Sequence, residues 1–76
     1  MTNPYADKIE HIIAPLVGDF IAKMALQSQC KAIGITPEII GVQHLDALSE
    51  KFKNAMAFYG YKNEGDKIAN AIRSIG

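Results

Sequence analysis

The side chains best equipped for nucleophilic, acid–base or metal-binding chemistry are a single cysteine, Cys30, two histidines, His11 and His44, and Ser49. A reactive cysteine needs a thiolate, normally favoured by a helix N-terminus or a neighbouring cation. Cys30 falls near the C-terminal end of an apolar helical stretch, where the helix dipole opposes the thiolate. Its position points to a buried structural thiol. No His-x3-His or Cys-x2-Cys pair is present, so nothing in the spacing gathers the histidines and the thiol around a metal. His44 and Asp46 are two apart on an expected helix and do not face one another, which removes an acid–base dyad. No nucleophile is paired with a base. The chain is expected to be non-enzymatic, with no catalytic residue, cofactor or metal.

Ser49 stands in the run Leu-Asp-Ala-Leu-Ser-Glu. Acyl carrier proteins present Asp-Ser-Leu at a helix start in a strongly acidic chain. Here Ser49 follows Leu48 in mid-helix, and 8 basic residues balance 8 acidic ones, so the comparison fails. The charges are also evenly spread, with three basic and four acidic residues up to Glu38 and five and four beyond it. Such a surface does not advertise capture of nucleic acid or an anionic membrane. A helix-turn-helix reading would make Gly34-Ile35-Thr36 the turn and the following helix the reader. Asp46 and Glu50 would then face outward and repel phosphate, against Lys51 and Lys53, with Lys62, Lys67 and Arg73 further on. A small DNA-binding regulator is therefore a secondary reading.

The elements that must position these residues are helical. At 76 residues and 49% hydrophobic, the chain specifies a single helical domain over 1–76 with one core. The start, Met-Thr-Asn-Pro-Tyr-Ala-Asp, lacks the basic region of a signal peptide. The apolar stretch from Ile12 to Leu26 carries Asp19 and Lys23 and falls short of the roughly twenty uncharged residues of a spanning helix. A cytoplasmic protein is expected. Asn3-Pro4 supplies an N-cap and a proline at the first helical position. Large residues (Ile9, Ile13, Leu16, Phe20, Met24, with Ile12 and Val17 beside them) hold helical phase straight across Pro15. That predicts one long first helix kinked at Pro15, with a true break near Ala14 as the alternative.

Gly34 is placed to terminate this helix, and Thr36-Pro37-Glu38 opens a short helical turn over residues 37–41. A second long helix is expected from about Val42 to a stop at Gly60. Its inward stripe is Leu45, Leu48, Phe52, Ala55, Met56 and Tyr59. The last helix opens at a capping-box-like Asn63 with Asp66, and turns Ile68, Ala71, Ile72 and Ile75 inward. No run alternates with period two for long enough to form a strand. The expected fold is all-α, a small bundle of three main helices plus a helical turn.

One feature of the first helix goes beyond what a small monomer needs. Opposite its large residues runs a row of small ones, Ala14, Gly18, Ala22 and Ala25, flanked by Ile21 and Leu26. A helix apolar on two faces is buried on two faces, and a mid-helix glycine, costing about 1 kcal/mol against alanine, is justified by close backbone approach. With a single cysteine, no internal disulfide can reinforce so small a core. The reading is a helical interaction or oligomerisation module that scaffolds or regulates a partner protein. It would pair as a homodimer through the first helix, over Ala14, Gly18, Ile21, Ala22 and Ala25, with Ile40, Phe58 and Tyr61 as rim anchors. A carrier of an apolar ligand between helices is the remaining alternative.

Overall fold

A computed structural model describes residues 3–75. The expectations that touch Met1, Thr2 and Gly76 lie outside the described residues. In order, the chain forms α1 (Pro4–Val17), α2 (Asp19–Ala32), two single 3-10 turns (Pro37–Ile39 and Val42–His44), α3 (Leu45–Phe58) and α4 (Lys62–Ile75). The described residues contain no strand, so the all-α expectation holds. The count does not. Four helices of 14 residues each replace the three expected.

The difference arises at Gly18. The expected kink at Pro15 is not where the rod divides. α1 runs through Pro15 to Val17, although proline gives the His11 carbonyl no donor and its ring crowds that carbonyl. Gly18 instead adopts φ 90° and ψ 161°. That region is essentially closed to any residue with a Cβ, and it turns the chain out of the helix. The Gly18 N–H still donates to the Ala14 carbonyl at 2.7 Å, and its carbonyl accepts from Ala22 N–H at 2.9 Å. One residue thus ends α1 and starts α2. No heavy atom lies within 4 Å of where a Gly18 Cβ would stand, so no other part of this chain crosses closely there, and the glycine is required by its backbone conformation.

Breaking the rod there changes which side of its second half is inside. In α1, Ile9 and Ile13 are fully buried, as the apolar spacing predicts. In α2 the buried residues are Ala22, Leu26 and Cys30, one helical turn apart. Phe20 and Met24, expected in the core, face outward.

The remaining caps follow the sequence closely. Asn3 Oδ1 accepts from Tyr5 N–H at 2.8 Å. Its amide Nδ2 donates to the carbonyls of Glu38 at 3.0 Å and Ile40 at 2.8 Å, tying the first helix to the central connector. Gly34 (φ 82°) and Gly60 (φ 88°) end α2 and α3 in left-handed conformations. At each end the next residue's N–H reaches back five residues, Ile35 to Cys30 at 2.9 Å and Tyr61 to Met56 at 2.7 Å, which satisfies carbonyls left free by the helix end. The long helix expected from Val42 begins in α form only at Leu45, after a 3-10 turn. α4 opens at Lys62, so Asn63 lies within it, and Asp66 pairs with Lys53 at 3.7 Å instead of completing a capping box.

α3 and α4 form the tightest pair of helices. They run antiparallel: Arg73, late in α4, meets Asp46 and Glu50 early in α3 at 3.3 and 2.8 Å, whereas Lys53, later in α3, meets Asp66, earlier in α4. These exposed ion pairs set register more than they stabilise. The close approach comes at Gly65, which is buried. A Cβ there would lie 3.0 Å from Met56 Cβ and 3.1 Å from the Lys53 carbonyl oxygen. Close helix approach therefore belongs to Gly65 and not to Gly18. The core joins Phe52 and Leu48 of α3, Ile9 and Ile13 of α1, Leu26 of α2 and Ile72 of α4.

Two substitutions separate these glycine roles. Gly18→Ala should destabilise the fold by about 1–3 kcal/mol through backbone strain alone, whereas D-alanine at the same position in a synthetic chain should fold as well as wild type. Gly65→Val should also lower stability by about 1–3 kcal/mol, because it overpacks the α3–α4 crossing. Urea titration followed by circular dichroism reads both. Equal losses for L- and D-alanine at position 18 would contradict the strain argument.

Candidate interaction groove

The chemistry-bearing residues are dispersed and satisfied. Cys30 is fully buried on the inner side of α2. Burial pushes its thiol up from an ordinary 9.0 to about 11, and the negative charge of Glu38 adds to the effect. A thiol held protonated is a poor nucleophile. Ser49 is also buried, and its Oγ donates to the Asp46 carbonyl at 2.7 Å. His44 Nδ1 accepts the Gly41 N–H at 2.9 Å, which leaves the proton of the neutral ring on Nε2. His11 Nδ1 lies 2.8 Å from the Asp7 carbonyl and can only donate there. Among the described residues, no group of three or more His, Cys, Asp or Glu side chains lies together to hold a metal ion.

A small cleft of about 270 Å³ at the α1–α2 corner brings Glu10, His11, Asp19 and Lys23 to its walls. Ala14 and Ala22 lie at its base. No buried polar side-chain atom in the described residues lacks a hydrogen-bond partner, so no unpartnered buried group points into this cleft. Asp46 and Glu50, which a helix-turn-helix reading would place on the reader helix, are engaged with Arg73.

The larger feature lies between α2 and α3. These two helices touch sparsely compared with α3 and α4, and they leave a groove of about 560 Å³. Buried Phe52 and Met56 of α3 form its floor. Ile21, Met24 and Ala25 of α2 form one wall, and Tyr59 and Tyr61, from the connection between α3 and α4, contribute to the other. None of the residues lining it is charged; Ser28, Gln29 and the tyrosine hydroxyls are its polar groups. α2 buries Ala22, Leu26 and Cys30, and its Ile21, Met24 and Ala25 line the groove. Two further aromatics, which do not line the groove, have little cover. Phe58 is 84% exposed and meets Tyr59 edge-on, with ring centroids 5.4 Å apart and planes at 87°. Phe20 is 73% exposed, one helical turn before Met24.

Neither a known protein family, nor a curated protein, nor a solved structure matches this chain. Geometry alone therefore identifies the site.

The residues expected at an interface divide three ways. Ile21, Ala25 and Tyr61 line the groove, and Phe58 stands next to Tyr59 on its edge. Ala22 and Ile40 are buried in the chain's own core, so neither is available as a contact. Ile40, expected as an exposed rim anchor, is only 3% exposed. The connector instead folds it inward, held by Asn3 at its carbonyl. Ala14 is half-buried and Gly18 exposed at the α1–α2 corner, away from the groove. Met24, Phe20 and Tyr59, which helical phase assigned to the core, are the exposed residues that sequence reasoning missed. For Phe20 and Met24 the available signal was Gly18 as a helix breaker; Tyr59 follows the last residue of α3.

The Cys30 environment has a measurable consequence. The native state keeps the thiol proton between pH 9 and about 11 while the unfolded chain releases it, so stability should fall as pH rises through that window. Ellman's reagent at pH 8 should label native Cys30 far more slowly than the urea-unfolded chain. Equal rates in the two states would show that the thiol is accessible.

Proposed function

We propose that this chain is a non-enzymatic helical interaction module that docks another protein chain through the α2–α3 groove, and so scaffolds or regulates its partner. The observation that carries this reading is the uncharged groove with exposed Ile21, Met24, Tyr59 and Tyr61 on its walls. Scattered single apolar residues on a surface need no explanation, but a contiguous patch of this kind marks an interaction site. Aromatic and methionine side chains are also the types enriched at the centres of protein interfaces. The homodimer expected through the first helix is retained in altered form. Its surface becomes the outer face of α2, with large residues replacing the small-residue row.

A second reading rests on the dimensions of the same groove. Its volume of about 560 Å³ falls within the roughly 300–1,000 Å³ of small-molecule sites, so an apolar ligand carrier is the alternative occupant class. The described helices include none long and apolar enough to cross a membrane.

Site-specific photo-crosslinking tests the docking reading directly. A benzophenone amino acid in place of Met24 or Tyr59 should give protein adducts on irradiation in the source cells, and the same group in place of exposed Asn70 should not. Failure to form adducts at both groove positions would overturn the reading. A small-molecule mass retained by the purified chain in native mass spectrometry would favour the carrier instead.

A further inference from the structure

We infer that α2 is a gate built into the fold. It opens as one cooperative unit while α1, the connector, α3 and α4 stay folded, and its departure uncovers Phe52 and Met56 at the floor of the groove. The inference holds whatever occupies the groove.

The first argument is fastening. Asn3 ties the start of α1 to the connector at the carbonyls of Glu38 and Ile40. Arg73 joins α4 to Asp46 and Glu50 of α3, and Lys53 of α3 meets Asp66 of α4. Among the described residues, no side chain of α2 takes part in a hydrogen bond or an ion pair. What holds α2 is its inner face, and that face is thin. It buries one large aliphatic side chain, Leu26, beside Ala22 and Cys30. By contrast, α1 buries Ile9 and Ile13, α4 buries Ile68 and Ile72, and α3 buries Leu45, Leu48, Phe52 and Met56.

The second argument is undercutting. α2 stands between two open spaces, the corner cleft of about 270 Å³ shared with α1 and the groove of about 560 Å³ shared with α3. Both flanks of the helix therefore lack partner atoms for dispersion contact. Few buried apolar contacts mark the segments that open well below the free energy of global unfolding.

The third argument is the boundaries. α2 runs between two glycines of positive φ, Gly18 at 90° and Gly34 at 82°. Nothing lies within 4 Å of a Cβ built at either position, so the backbone can change there without displacing a neighbour. Glycine has the widest choice of conformations, and residues at element ends absorb the dihedral changes of moving segments. A helix of 14 residues is also marginal without tertiary contact. α2 thus unwinds once it leaves the bundle, and the two glycines confine the change to it. A partner that prefers the uncovered surface holds the gate open to the extent of that preference.

Cys30 reports the opening, because its thiol is fully buried on the inner side of α2. Thiol labelling of the native full chain, at urea concentrations below the unfolding transition, is compared with that of a chain carrying Ser49→Cys and Cys30→Ala. Ser49 is equally buried, but in α3. Each rate is referred to that of the same thiol in the unfolded chain. Cys30 should be labelled at least ~10-fold faster than the thiol at position 49, with a weaker urea dependence, since a local opening exposes less surface than global unfolding. Amide hydrogen exchange on the unsubstituted chain gives the same comparison without relying on the variant. The amides of residues 26–30 should exchange at least ~10-fold faster than those of residues 48–52. Equal labelling with equal urea dependence, or equal exchange of the two sets of amides, would overturn the inference.

Discussion

The backbone conformation of Gly18 governs the rest of this molecule. A continuous helix from Asn3 to Gly34 would keep one apolar phase, with Phe20 and Met24 on the side of Ile9 and Ile13. At φ 90° and ψ 161° the chain leaves the helix for a single residue and re-enters it on a new axis. The second segment then buries Ala22, Leu26 and Cys30 and shows its larger residues to solvent. Proline inside a helix loses one hydrogen bond and crowds the carbonyl four residues back, yet α1 runs through Pro15 and ends at Gly18. A conformation that no residue with a Cβ accepts comfortably is the stronger constraint.

From that turn the packing follows. The small inner face of α2 makes shallow contact with α3, whereas Gly65 lets α3 and α4 approach to van der Waals distance. The bundle is therefore uneven, closed along one seam and open along another. Asn3 offsets part of this looseness by fastening the start of α1 to the connector at Glu38 and Ile40. Buried Cys30 faces the same inner region, and the desolvation that raises its thiol also removes it from nucleophilic chemistry.

Much of the fold is legible in the sequence wherever a local rule has no competitor. Asn3-Pro4, Gly34, Gly60 and the α3 stripe through Phe52 each act where the residue types suggest, because caps and amphipathic spacing are decided within a turn or two of chain. The interface is less legible. Helical phase placed Phe20, Met24 and Tyr59 in the core, and each is exposed. Two of these errors share one source: 3.6-residue periodicity cannot register a single residue that resets the phase. Ile40 failed for another reason, since its burial depends on a tertiary bond from Asn3, thirty-seven residues away. Spacing along the chain cannot foresee such a bond. The two-faced first helix expected from the sequence depended on one unbroken phase, and the break at Gly18 takes Ala22 into the chain's own core.

That surplus is hard to attribute to the monomer. Exposed helix positions are most favourably filled by Ala, Glu, Lys, Gln or Arg, while phenylalanine and isoleucine are weaker helix formers. Phe20, Ile21 and Phe58 occupy such positions with little or no packing in return. Each also raises the hazard of nonspecific association. Residues that neither favour their own helix nor fill their own core are explained by a surface that covers them. The uncharged groove restricts which surfaces can do so, since a charged partner would be desolvated there without a counter-ion.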